Sequence, residues 1–141
     1  MRTLVAPLHP YVQLQLEALP RDIQDVAQGY LKLLRLDPYA GAVIDRGALA
    51  TYRARRIYIS ADDQPGNVFG ARHHGSRSRS GTDETGPKWR LVYLLHEAPR
   101  TGVLVVQVLS LGLGHPDPGQ PSAYELAERR LPTDPNYRSE A

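Results

Sequence analysis

Residues 51–60 read TYRARRIYIS, residues 88–95 KWRLVYLL and residues 103–111 VLVVQVLSL, and these three stretches decide the fold. Each has strand length and is rich in β-branched or aromatic residues. Polar, turn-rich connections separate them, which predicts an antiparallel meander. In the first stretch, period two places Arg53 and Arg55 on one face and turns Arg56 to the other. If Ile57 and Ile59 face the core, Arg53 and Arg55 share their side unless a bulge intervenes, and Arg56 and Tyr58 line the opposite face. A sheet face carrying arginine and tyrosine has the chemistry to grip a phosphate backbone.

Working outward, residues 2–6 (RTLVA) read as a short first strand that Pro7 and Pro10 end. In residues 11–19 (YVQLQLEAL), Val12, Leu14 and Leu16 alternate as in a strand. Val12, Leu16 and Leu19 also keep helical spacing, and the Gln, Leu, Glu and Ala content favours a helix. Pro20 ends that helix. Asp22 is placed to cap a second one, whose Ile23, Val26, Ala27, Tyr30, Leu31 and Leu34 form a single stripe. Asp37 and Pro38 stop it, because the residue before proline avoids the α region, and Gly41 helps the chain turn toward the sheet. Past the last strand, Gly112, Gly114, Pro116, Pro118, Gly119 and Pro121 predict an irregular loop. Ser122 and Glu125 then have capping-box spacing for a short helix through Leu131.

Between the second and third strands, residues 62–87 (DDQPGNVFGARHHGSRSRSGTDETGP) hold Val68 and Phe69 as almost their only apolar content, which predicts a flexible insertion. Residues 132–141 read as a disordered tail. The expected fold is α+β, one domain over residues 1–131. Its order is β-α-α-β-β-β with a short C-terminal helix: a mostly antiparallel four-stranded sheet with the helical hairpin on one face and the other face open.

Composition bounds the function. At 141 residues and 41% hydrophobic content the chain has the size for one core. No apolar run reaches the length of a membrane span, and the start, MRTLVAPLHP, is too short and too broken by proline for a signal peptide; a cytoplasmic location is expected. The absence of cysteine excludes disulfides, thiolate nucleophiles and thiolate metal sites. A net charge of +2 with a pI of about 9.0 permits an acidic partner or a nucleic acid without requiring one.

The order of strand, two helices, basic strand, Trp-Arg-Leu-Val-Tyr strand, apolar strand and terminal Tyr segment resembles the RelE/ParE superfamily of type II toxin–antitoxin toxins. The resemblance runs from about Thr3 to Leu131. It is carried by Leu16-Glu-Ala-Leu-Pro20 at the end of the first helix, by Leu36-Asp-Pro38 with Gly41, by Ala54-Arg-Arg56, and by residues 89–93 (WRLVY). It implies a RelE-like fold and, in the RNA-cleaving branch, ribosome-dependent cleavage of messenger RNA without metal or cofactor. In that branch a ribose 2′-hydroxyl attacks the adjacent phosphate. Its expected partners are a cognate antitoxin, the ribosome and messenger RNA. The gyrase-poisoning branch of the same fold implies DNA gyrase instead and no catalysis, and an inactive member implies a protein-binding module. The chain departs from the family in the 62–87 insertion, where a tight turn is usual, and in residues 111–116 (LGLGHP), where the catalytic branch carries a Gly-x-Arg element.

The resemblance assigns Arg90 as the phosphate clamp, against a competing reading as an arginine packed along the sheet or an antitoxin contact. A permanent cation suits this chemistry because negative charge builds on the phosphate in the transition state. Arg56 is the second clamp on facing grounds. Tyr124 aligns with the family's terminal tyrosine, placed to stack on a base or to take part in proton transfer. His115 is the remaining acid or base candidate, since imidazole suits proton transfer near neutral pH; its competing reading is a solvated loop residue. Arg53, Arg55, Arg72, Arg77 and Arg79 are candidate RNA contacts. His73 and His74 lack a third ligand at a recognisable spacing, so no metal site is expected.

Overall fold

The structure, a computed structural model, describes residues 2–61, 89–98 and 101–132. Its elements in chain order are β1 (Thr3–Val5), α1 (Pro10–Ala18), α2 (Arg21–Leu33), β2 (Ala42–Val43), α3 (Gly47–Thr51), β3 (Arg55–Ile59), β4 (Trp89–Glu97), β5 (Leu104–Leu113) and α4 (Ala123–Glu128). The insertion expected at 62–87, with Arg72, Arg77 and Arg79, and residues 133–141 of the expected tail lie outside the described residues.

The strands form a five-stranded sheet in the order β1-β5-β4-β3-β2. The meander is there: β3 pairs antiparallel with β4, and β4 with β5. The expectation of four strands is corrected, because Ala42–Val43 adds an antiparallel edge strand opposite Arg55 and Arg56. Two residues are too few to show a period. The sheet is also mixed, since β1 runs parallel to β5 with Thr3 opposite Leu104. The chain returns from β1 through the helices before it reaches the sheet again, as a parallel neighbour demands.

Helices α1 and α2 cover one face. Val12 and Leu16 of α1 and Ile23, Val26, Ala27, Tyr30 and Leu33 of α2 pack on Ile57, Ile59, Leu91, Tyr93, Leu95, Val106 and Leu111. The residue facing differs from expectation at the start of α2. Pro20 occupies the N-cap, and the Asp22 carboxylate accepts from the Ile23 amide within the first turn instead. Proline suits a helix start because it has no N–H to satisfy.

The opposite face is not open, which corrects the second expectation. Helices α3 and α4 cover part of it: Leu49, Ala123 and Ala127 pack with Ile44, Ala54, Val92, Leu94 and Leu109. The α3 helix takes Thr51 out of the expected basic strand, and Arg53 then reverses the chain at φ 55°, so β3 begins only at Arg55. A bulge lets the far face accept this cover. Val92 pairs with Ser110 and Tyr93 with Val108, so Leu109 is the extra residue of β5. The Ser122 capping box forms as read, with Glu125 N–H donating to Ser122 Oγ at 3.1 Å and Ser122 N–H to Glu125 Oε1 at 3.0 Å.

Ile59 and Trp89 stand directly opposite each other at the ends of β3 and β4, so a short turn can join these strands. Replacing residues 62–87 by Asn-Gly is expected to hold or raise stability, because shortening the closed loop recovers roughly 1–2 kcal/mol of chain entropy. The check is thermal unfolding of the shortened chain. A large fall in melting temperature would show that the insertion contributes to the core.

Candidate functional site

With Ile57 and Ile59 turned to α1 and α2, Arg56 and Tyr58 project to the other side of β3. Register places Arg90 of β4 opposite Tyr58, and α4 brings Tyr124 over both. Two contacts seat α4 there: burial of Ala123 and Ala127 against the sheet, and a hydrogen bond from Ser110 Oγ to the Ala123 carbonyl at 2.6 Å.

The four side chains form one cluster. Arg90 Nε donates to Tyr124 Oη at 3.1 Å and an Arg90 Nη1–H to the Trp89 carbonyl at 3.2 Å. Its guanidinium carbon lies 4.3 Å from the centre of the Tyr58 ring. The Arg56 guanidinium lies 5.1 Å from the same ring and 6.0 Å from that of Tyr124. Both cations are therefore held against electron-rich ring faces, which offsets part of their desolvation. Gly114 supplies the remaining wall. A Cβ at that position would come within 2.8 Å of Arg90 Nε, so a side chain there would push the guanidinium out.

Two features set the chemistry. Arg90 is 2% exposed and is the sole buried charged residue among those described. Arg56 Nε is buried and has no hydrogen-bond partner among the described residues. A buried donor left without an acceptor costs about 1–3 kcal/mol, more where the group is charged. An anion with several oxygens relieves that cost and meets the cluster's positive charge together. Bound phosphate oxygens are such acceptors, and guanidinium geometry suits them.

The remaining candidates are distributed as follows. Arg55 lies on the helical side, where Nη1 donates to the Gly41 carbonyl at 2.6 Å and the guanidinium sits 5.0 Å over Tyr39; it braces the loop before β2. Arg53 is exposed in the turn between α3 and β3. His115 is exposed and adjoins Gly114, the residue packed on Arg90. No group of three or more His, Asp or Glu side chains among the described residues is arranged to hold a metal ion. No described helix is long and apolar enough to cross a membrane.

Sequence reasoning missed Gly114 as a packing partner of Arg90 and missed Tyr58 as the ring both arginines share. It also missed a second cluster at the C-terminal end of α4, where Arg129 and Arg130 meet His9 and Tyr11 of the α1 start. The Arg129-Arg130 doublet was a readable signal. Compared with protein-family models, curated proteins and solved structures, the chain matches none.

Proposed function

We propose that the chain is a RelE-like toxin that cleaves messenger RNA at the ribosome, with Arg56, Arg90 and Tyr124 acting on the scissile phosphate and a cognate antitoxin as its neutralising partner. The observation that carries this reading is the convergence of two arginines and two tyrosines on one sheet face, with Arg56 Nε buried and lacking an acceptor. The 2′-oxygen attacks phosphorus and the bond to the 5′-oxygen breaks, leaving a cyclic phosphate and a free 5′-hydroxyl. The proton of the 2′-hydroxyl passes to a base and another is delivered to the 5′-oxygen. Arg56 and Arg90 stabilise the charge that grows on the nonbridging oxygens. Tyr124, already hydrogen-bonded to Arg90, is placed to stack or to orient a proton.

A second reading is favoured by one observation. At 2% exposure, Arg90 has to be uncovered before it touches a phosphate, whereas a non-enzymatic member has no such requirement. On that reading the chain acts by protein contact, either on DNA gyrase or as a binding module, and Arg90 ties α4 to the sheet.

Incubation with translating ribosomes, followed by primer-extension mapping of messenger breaks, tests the first reading, and a gyrase cleavage-complex assay tests the second. Tyr124→Phe refines the first. Near-normal cleavage is expected if the ring stacks, and a hundredfold loss if the hydroxyl orients a proton. Growth arrest without messenger breaks would move the assignment to protein contact.

A further inference from the structure

A cleft of about 410 Å³ lies between the start of α1 and the end of α4, lined by His9, Tyr11, Leu126, Arg129 and Arg130. We infer that this cleft binds one nucleotide of a single-stranded nucleic acid, with the base on Tyr11 and Leu126 and the phosphate on Arg129 and Arg130. The inference goes beyond the cleavage reading and stands without it.

The lining is basic and aromatic and, among the described residues, contains no carboxylate. Neither Arg129 nor Arg130 makes an ion pair with a described residue. The nearby acids are engaged elsewhere: Glu125 closes the capping box, the Glu128 carboxylate lies beside Gly47 of α3, and Glu17 accepts from Gln13 at 2.9 Å. The charge is also concentrated. Partial burial and the neighbouring Arg129 both disfavour the Arg130 cation, burial more strongly. Arg130 is nonetheless held in place, because Nη1 donates to the Leu109 carbonyl at 2.9 Å. A fixed guanidinium beside a second, exposed one is suited to an anion with several oxygens.

The rest of the lining specifies what the anion is attached to. Tyr11 is 62% exposed. The Arg130 guanidinium sits 5.6 Å from its ring centre and the His9 ring centre 5.3 Å away, tilted by 31°, and the side chain stays largely exposed between them. Such a ring stacks on any base. His9 Nδ1 accepts the Tyr11 amide at 3.1 Å, which leaves Nε2 as the imidazole's donor to a ligand. The cleft volume falls within the range of about 300–1,000 Å³ typical of small-ligand sites. A bare anion explains the arginines but not the exposed ring or Leu126.

The test is titration of the full chain with adenosine 5′-monophosphate, with inorganic phosphate and with a short acidic peptide, followed by NMR. Shifts centred on Tyr11, Leu126 and Arg129 are expected with the nucleotide, with binding much tighter than to phosphate. Arg130→Ala removes a bond that holds the end of α4, so the deciding variants are Tyr11→Ala and Arg129→Gln, which alter exposed side chains. Tyr11→Ala is expected to weaken nucleotide binding roughly fivefold to a hundredfold. Arg129→Gln should reduce the salt dependence of oligonucleotide binding by about one ionic contact. Nucleotide binding is read directly by NMR on the wild-type chain and messenger cleavage by primer extension, so loss of this site and loss of cleavage are read separately. Equal affinity for nucleotide and phosphate, or no effect of Tyr11→Ala, overturns the inference. Binding of the acidic peptide with none of the nucleotide overturns it in favour of a protein partner.

Discussion

Arg90→Ala is expected to lower ribosome-dependent messenger cleavage by about a hundredfold or more, the usual effect of removing a preorganised charge contact from a transition state. His115→Ala is expected to cost far less, because that side chain is exposed on a loop and water can partly replace it. The burial of Arg90 complicates the alanine variant. Truncation leaves a cavity, worth about 2–5 kcal/mol for a large buried side chain, while removal of a buried charge recovers desolvation energy. Arg90→Met separates the two effects, since it fills most of the volume and carries no charge. A folded Arg90→Met variant should be as inactive as Arg90→Ala. If it cleaves normally, or if growth arrest persists in the absence of cleavage by the wild type, Arg90 is a packing residue and the protein-contact reading takes over.

Periodicity revealed the parts of the fold that bury a regular face. The stripe that begins at Ile23 in α2 was legible because burial on one face imposes the helical period, and β4 and β5 were legible as apolar runs of strand length because both of their faces are covered. In β4, Trp89, Leu91, Tyr93 and Leu95 face α1 and α2, and Arg90, Val92 and Leu94 face the other side. What was not legible is what depends on few residues or on distant partners. β2 has two residues and α3 five, too short for either template. The parallel pairing of β1 depends on which edge of the sheet the chain reaches, and nothing within Thr3–Val5 encodes that.

Similar limits apply to the candidate site. Period two put Arg56 and Tyr58 on one face, and the structure has them there. It could not reveal that α4 lies over that face and buries Arg90 almost completely, because Ala123 and Ala127 are small and give no apolar signal of their own. Gly114 reads as loop punctuation in a Gly- and Pro-rich stretch; its contact with Arg90 exists only once β4 and β5 are paired. Gly41 was read as a turn former. It sits at a bend, and it also permits close approach, since a Cβ there would lie 2.8 Å from the Arg56 carbonyl oxygen and from Tyr93 Oη.

That close approach leads to a large expected effect on stability. Tyr93 is fully buried, and its hydroxyl donates to the Pro38 carbonyl at 2.8 Å and accepts from the Gly41 amide at 2.9 Å. One oxygen thus satisfies both backbone groups of the loop that leads into β2, the strand paired with Arg55 and Arg56. Tyr93→Phe keeps the ring and removes the oxygen, so a buried N–H and a buried C=O are left without partners. The cost is expected at about 2–4 kcal/mol, a fall in melting temperature of roughly 10 °C for a chain of this size. A pH signature separates this cause from repacking. Burial pushes the Tyr93 phenol well above its ordinary value of 10.0, so the folded state holds this proton more tightly than the unfolded state does. The stabilisation is therefore complete below about pH 10 and declines as pH rises further. The gap between wild type and Tyr93→Phe should narrow above pH ~10 in denaturant unfolding. A Tyr93→Phe variant within about 0.5 kcal/mol of wild type at neutral pH would mean that water satisfies Pro38 and Gly41 and that Tyr93 does not hold the loop before β2.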